Sequence, residues 1–156
     1  MMITLRKITS ENCFAICDLK ANENFVATNT KSLIQAYAYS VEMGYGPLAY
    51  GIYKEEMPVG FIMADYTKYE EGFNNGKPFY FLWRMMVDEN HQNKGYGRIA
   101  LTALLDEIKT FPLGEADTMF TSVVPGNEHA TRLYESLGFH KTGEVEDGEE
   151  LMELVF

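Results

Sequence analysis

One stretch limits what this chain can become: Pro78 to Thr110, PFYFLWRMMVDENHQNKGYGRIALTALLDEIKT. Phe79 to Val87 is a nearly unbroken apolar and aromatic run, the mark of a strand buried on both faces. Asp88 to Lys94 is polar and ends it. Gly95-Tyr96-Gly97 then opens a helix whose apolar positions Ile99, Ala100, Ala103, Leu104 and Ile108 recur at helical spacing. A buried strand, a loop with glycines and a helix N-terminus together form a cradle for phosphate. The first-turn N–H groups have no intrahelical partner, and the helix dipole favours an anion there. Glycine removes the Cβ that would keep a ligand off the backbone.

Two other phosphate patterns compete. Gly95 to Ala100 fits G-x-G-x-x-A, the dinucleotide fingerprint, with Asp117 near the acidic position. That fingerprint needs a tight strand-to-helix turn, whereas polar Asp88–Lys94 intervenes here, and Asp117 precedes the next strand instead of ending it. Gly72 to Lys77 resembles a P-loop but is one residue short, and Pro78 stands in place of the Ser or Thr.

A third pattern fits better. Gln92-Asn93-Lys94-Gly95-Tyr96-Gly97 is Q-x-x-G-x-G, at the end of a strand carrying Met85-Met86-Val87-Asp88. Downstream, Asn127 to Phe139 reads N-x-x-A-x-x-L-Y-x-x-x-G-F. In spacing and order the pair resembles the two signatures of the GNAT family of N-acetyltransferases. The run Phe25-Val26-Ala27, with Asn29, Ser32 and Leu33, is similar to a segment of bacterial members described as spermine/spermidine acetyltransferases, where it forms one wall of the acceptor site.

Composition narrows the partners. The chain has 156 residues, enough for one domain (1–156) with a single core, and a net charge of −10. Nucleic acid is a poor partner for such a charge, because phosphate binding needs basic patches. A cationic small substrate is favoured, since an acidic field concentrates cations. No apolar run reaches the length of a membrane span, and Met1 to Lys7 lacks the core of a signal peptide, so a cytoplasmic protein is expected. Cys13 and Cys17 lie four apart and read as buried small hydrophobes. His91, His129 and His140 are too far away in sequence to complete a metal site with them, so no metal is expected.

In order, Ile3 to Lys7 alternates as a first strand, and Thr9 or Ser10 caps a helix through Leu19 with Cys13, Phe14, Ile16 and Cys17 on one face. After irregular Asn24–Asn29, Thr30 caps a helix over Lys31 to Met43, which Gly44 ends. Leu48 to Lys54 and Val59 to Tyr66 form a hairpin about the turn Glu55 to Pro58, with Gly60 marking a bulge or a close backbone approach. Asn74-Asn75-Gly76 turns into the central strand. Thr118 to Val124 is a fifth strand, and Asn127 starts a helix that Gly138 ends. Phe139 to Val145 and Leu151 to Phe156 form a last hairpin across Asp147-Gly148. The order β-α-α-β-β-β-α-β-α-β-β is an α/β (α+β) pattern. The resemblance implies the GNAT fold over the whole chain: a mixed seven-stranded sheet flanked by helices, its fourth and fifth strands parallel at first and then splayed around the cofactor.

The resemblance implies acetyl transfer from acetyl-CoA to an amine. A Lys-like amine must be neutral to attack, which costs roughly 4.6 kcal/mol at pH 7. Carried over residue by residue, the backbone of Met85, Met86 and Val87 holds the pantetheine arm. The N–H groups of Gln92, Asn93, Lys94, Gly95, Tyr96 and Gly97, with Arg98, bind the pyrophosphate. Asn127 hydrogen-bonds the cofactor arm, and Tyr134 is the acid that protonates the leaving sulfur. Some polyamine-acetylating relatives carry an acidic residue two positions before the first pantetheine-pairing residue. Here that position is Trp83, followed by Arg84, and neither is a carboxylate. Glu42, Asp65, Glu70 and Glu71 are the substitutes. The acceptor expected first is a polyamine such as spermine or spermidine. Another amine (an antibiotic, an amino acid, a protein N-terminus) or a non-catalytic acyl-CoA-binding module is the alternative. Family members are often homodimers.

Overall fold

A computed structural model describes residues 2–156, so Met1 lies outside the described residues. The elements run β1 (Ile3–Lys7), α1 (Cys13–Cys17), α2 (Asn29–Met43), β2 (Leu48–Lys54), β3 (Met57–Thr67), β4 (Phe79–Val87), α3 (Tyr96–Ile108), β5 (Thr118–Val123), α4 (Glu128–Ser136), β6 (His140–Glu146) and β7 (Glu149–Val155). Single 3-10 turns sit at Asn74–Gly76 and Glu89–His91. The strands form one mixed seven-stranded sheet in the order β1-β2-β3-β4-β5-β7-β6. The chain divides into two compact units, and β3, β4 and α3 each contribute to both.

Among the described residues the first unit covers 2–64 and Arg84–Leu104. β1 pairs antiparallel with β2, and β2 with β3. The turn between β2 and β3 is shorter than the sequence predicts. Glu55, at a φ of +55°, makes the reversal, and Met57 and Pro58 already belong to β3. Ile52 pairs with Gly60 while Tyr53 pairs with Pro58, so Val59 is the extra residue of a bulge, which accommodates a proline without an N–H to give. Gly60 is the close approach expected of it. A Cβ there would stand 2.5 Å from the Met86 carbonyl oxygen and 3.0 Å from Ile52 Cδ1. Gly60→Ala therefore forces β3 and β4 apart. We expect a loss of about 1–3 kcal/mol, read as a lowered urea midpoint, and an unchanged midpoint would refute the contact.

α1 is one turn, not the longer helix predicted. Asn12 holds residues 9–12 in a turn: its Oδ1 accepts from Thr9 N (2.8 Å) and its Nδ2 donates to Lys7 O (3.0 Å). Ile16 is fully buried but Phe14 is 79 % exposed, so the expected apolar face shrinks to one residue. Cys13 and Cys17 are free thiols and half-buried, not core residues. α2 is capped by Thr28, whose Oγ1 accepts from Lys31 N (3.2 Å), and not by Thr30. It ends at left-handed Gly44, as predicted. On α3 the buried stripe is Ala100, Leu101, Leu104, Leu105 and Ile108, while Ile99 and Ala103 point outward.

The second unit covers Asp65–Trp83 and Leu105–Phe156. β4 and β5 run parallel, Tyr80 to Leu82 against Met119 to Thr121. β5 pairs antiparallel with β7, and β7 with β6. Asp147 and Gly148 both have positive φ, the I′ geometry that an Asp-Gly hairpin adopts. Phe79, Phe120 and Leu151 form a core cluster covered by Phe73 and Phe81. Tyr66 and Tyr80 share the other face. Their rings are 5.0 Å apart, and their hydroxyls donate to Glu115 O (3.0 Å) and Gly114 O (2.8 Å) in the segment after α3. No helix among the described residues is long and apolar enough to cross a membrane.

Candidate active site

In the first unit, β4 divides its backbone between two edges. Asp88 N donates to Val59 O (2.8 Å), and the Met86 carbonyl oxygen lies against Gly60. Residues 86 and 88 thus direct backbone groups at β3. Successive residues of a strand alternate in hydrogen-bonding direction, so Met85 and Val87 present theirs on the opposite edge. Gln92 folds back and its Nε2 donates to Val87 O (2.9 Å). That bond takes up one of the two lone pairs of the Val87 carbonyl oxygen. The side chain of Gln92 is thus a brace between loop and strand, while the pyrophosphate role predicted for this residue concerns its backbone N–H.

The loop itself is built to expose backbone. Gln92, Asn93, Lys94 and Gly95 are all exposed, while Tyr96 is buried and anchors the start of α3. Asn93 (φ +62°) and Gly95 (φ +79°) are left-handed, and nothing lies within 4 Å of where a Cβ on Gly95 would be. The first turn of α3 carries no acidic residue. Its N–H groups lead an open surface, a geometry that suits an anion. Arg98 is exposed two residues into the helix.

Asp88 is the residue that sequence reasoning missed. It is buried, and its carboxylate accepts from Lys20 N (Oδ1, 2.9 Å) and Asn90 N (Oδ2, 3.1 Å). Burial works against the charge, but these bonds outweigh it and hold the carboxyl below its ordinary range. Glu89 N donates to Lys20 O (2.8 Å) as well, so the strand end is tied to the segment leading into α2. That segment encloses a cavity of about 160 Å³ with Leu19, Val26, Thr28, Asn29 and Met86 in its lining. Asn29 is 3 % exposed, and its Nδ2 bonds Ile16 O (2.8 Å) and touches Met86 Sδ (3.6 Å). Ser32 Oγ donates to Thr28 O (3.0 Å). Asn29 thus ties the start of α2 to β4.

In the second unit, Tyr134 faces inward from α4 and is 8 % exposed. Burial pushes its phenol up to about 12; a hydrogen bond to the Thr121 side chain pulls down and the charge of Glu149 pushes up. The group therefore keeps its proton at neutral pH and can donate it. Thr121 Oγ1 donates to Leu82 O (3.2 Å) at the end of the β4–β5 ladder, which places the phenol beside that point of the sheet. Asn127 caps α4 with Oδ1 accepting from Ala130 N (3.3 Å), and its Nδ2 is the donor of that side chain. Phe139 packs 5.7 Å from the Tyr134 ring.

Of the four substitute acids, Glu42, Glu70 and Glu71 are exposed, and only Asp65 is substantially buried. Trp83 is half-buried, and Arg84 donates to Gln35 Oε1 (2.7 Å) on α2. Among the described residues no group of three His, Cys, Asp or Glu side chains could hold a metal ion. The Gly72–Lys77 stretch is a tight turn with Asn74, Asn75 and Gly76 all left-handed, and it opens no helix that could hold a phosphate.

Comparison with known proteins gives this arrangement a context. The family model described as "Acetyltransferase (GNAT) family" matches residues 13–139. A curated relative, spermine/spermidine N(1)-acetyltransferase of Bacillus subtilis (strain 168), is 32 % identical over 97 % of both chains. Among solved structures, PaiA N-acetyltransferase from Thermoplasma acidophilum in complex with coenzyme A superposes with a TM-score of 0.69 at 14 % identity, covering all of both chains. Ribosomal-protein-alanine N-acetyltransferase from Brucella melitensis gives a TM-score of 0.72 at 19 % identity, again over both whole chains.

Proposed function

The chain belongs to the acetyltransferase (GNAT) family, and on that premise we propose that it moves an acetyl group from acetyl-CoA to a primary amine of a polyamine such as spermine or spermidine. The observation that carries the cosubstrate part is the backbone alternation at residues 85–88: Met85 and Val87 present the groups that a pantetheine amide needs. The open, left-handed loop from Gln92 to Gly97 with the start of α3 suits a pyrophosphate, and Arg98 adds a charge there. Asn127 Nδ2 bonds the cofactor arm. Acetyl-CoA, when bound, supplies the activated carbonyl.

The roles of the chain's own groups follow from their chemistry. Tyr134, still protonated at neutral pH, gives its proton to the departing sulfur. Residues 25–33, Met86 and the cavity they line shape the acceptor's entry. Support for a polyamine comes from the curated Bacillus relative, from the acid excess behind the net charge of −10 and from the six acids of residues 143–156. The same reading sets the reaction in the cytoplasm and, as in many family members, on a homodimer.

A charge series tests the acceptor. We expect kcat/KM to rise from butylamine through putrescine to spermidine and spermine, and the preference to shrink as salt screens the field. A preference for peptide N-termini over all of these, insensitive to salt, would overturn the polyamine assignment.

A further inference from the structure

The reaction needs a base, and position 83 holds tryptophan. β3 carries a carboxylate for which the fold has no evident use. Asp65 Oδ1 is fully buried and, among the described residues, has no hydrogen-bond partner. A buried carboxylate oxygen left without a donor is costly, and native structures rarely keep one without a role.

Its direction follows from its neighbours. Tyr66 and Tyr80 lie ring to ring on one face of the sheet. Side chains alternate along a strand, so Asp65 points to the other face, the one that carries Phe79 and Phe81. That face bears the aromatic cluster in which Phe73, Phe79 and Phe120 stand 4.8 to 5.6 Å apart. Trp83 is two residues beyond Phe81. A carboxylate beside aromatic rings is a setting for an alkylammonium: the acid meets the charge, and the rings meet the cation and its chain.

The charges around it point the same way. Burial first, then the field of Glu70, push the Asp65 carboxyl up to about 7, while a contact from its own backbone N–H pulls it down. Glu146, on the β6–β7 hairpin, is raised by burial and then by Glu70, Glu144 and Asp147. Glu70 thus faces both acids, and each carboxylate makes the next more receptive to a cation. Tyr66 and Tyr80 are the titratable groups on the opposite face.

We propose that Asp65 is a catalytic residue of the acetyl transfer, receiving the acceptor's ammonium group and removing its proton. The inference rests on the amine-acetylation reading but not on which amine is used. Asp65 takes one N–H proton of the ammonium. The freed lone pair forms the C–N bond at the thioester carbonyl carbon, and the C–S bond breaks with its electron pair leaving on sulfur. Tyr134 protonates that sulfur. The second N–H proton, lost as the amide forms, returns to the Tyr134 oxygen through solvent, and Asp65 releases its own proton to water. One ammonium and one thioester become one amide, one thiol and one proton. By the same alternation Thr121, which follows Phe120 and pairs with Leu82, lies on the Tyr80 face, so the phenol it holds and Asp65 stand on opposite faces of the sheet, one for the departing sulfur and one for the incoming amine.

The test is the pH profile of kcat in Asp65→Asn, run with whichever amine the wild type acetylates fastest. The wild type is expected to lose activity below about pH 7 along a single acidic limb. Asp65→Asn should lower kcat by about a hundredfold or more, abolish that limb and leave the acetyl-CoA dissociation constant unchanged. Asp65→Glu should recover part of the rate and keep the limb. In Asp65→Ala, added formate should restore turnover, which no purely structural role permits. An Asp65→Asn enzyme within threefold of wild-type kcat with its acidic limb intact overturns the proposal, as does Asp65→Ala that folds yet shows no response to formate. If the wild type acetylates peptides and ignores polyamines, the acceptor assignment fails, while the Asp65→Asn profile on the peptide still decides the base.

Discussion

Tyr134→Phe is expected to lower kcat by about 10²- to 10³-fold while leaving acetyl-CoA affinity within about twofold. The ring is buried against Phe139, and phenylalanine keeps that packing. What disappears is one hydroxyl, held by Thr121 and kept protonated by burial. Losing its hydrogen bond costs about 1 kcal/mol of stability, too little to unfold the domain. The loss should therefore fall on kcat and not on KM for acetyl-CoA. It should also fall most heavily on substrates with a poor leaving group, where protonation of sulfur matters most. Unchanged kcat would remove Tyr134 from the chemistry and leave it as a core aromatic.

Stability is expected to fall as the pH rises from about 4 to about 7, by up to about 4 kcal/mol, and Asp65 is the cause. Its carboxyl moves from an ordinary 3.8 to about 7 on folding. A carboxyl raised in the folded state binds more protons there than in the unfolded chain, so its stabilisation is complete below 3.8 and is lost as the pH approaches 7. The gap of about three units sets the ceiling at 1.36 kcal/mol each. Asp88 works with the opposite sign. Its depressed carboxyl stabilises the fold above the ordinary carboxylate range and stops doing so in strong acid. The two together place the greatest stability in weak acid. Urea midpoints at pH 5 and pH 8 at one salt concentration measure the slope, and Asp65→Asn should flatten it and raise the midpoint at pH 8. Equal midpoints for wild type at both pH values would contradict the burial of Asp65. The residue that lowers stability at neutral pH is then the one proposed to remove the ammonium proton.

The order of the elements was readable from periodicity and turn residues alone, because each depends on local pattern: the apolar run of β4, Gly44 behind α2, Asp147-Gly148 between β6 and β7. The errors came where two local signals competed. Thr28 and Thr30 are both plausible caps, and only the geometry of Lys31 N decides between them. Thr9 read as a helix cap, but Asn12 bonds to both Thr9 and Lys7 and delays the helix to Cys13. Met57 and Pro58 read as turn because a proline in a strand is unusual, and the bulge at Val59 that accommodates it cannot be seen from one strand. At the site, the loop and the helix start were visible in the glycines. Which edge Met85 and Val87 present depends on pairing with β3, a contact distant in sequence. Asp88 looked like any polar residue ending a strand, since its partner Lys20 lies in another segment. Asp65 was one acid among four until burial separated it from the exposed Glu42, Glu70 and Glu71.

The most direct measurement of the central claim is thiol release from acetyl-CoA in the presence of spermidine, with the amine recovered and weighed by mass spectrometry. One thiol is expected for each monoacetylated spermidine, and neither product without enzyme. Acetyl-CoA that binds tightly yet stays intact with spermidine, spermine and putrescine alike would contradict it.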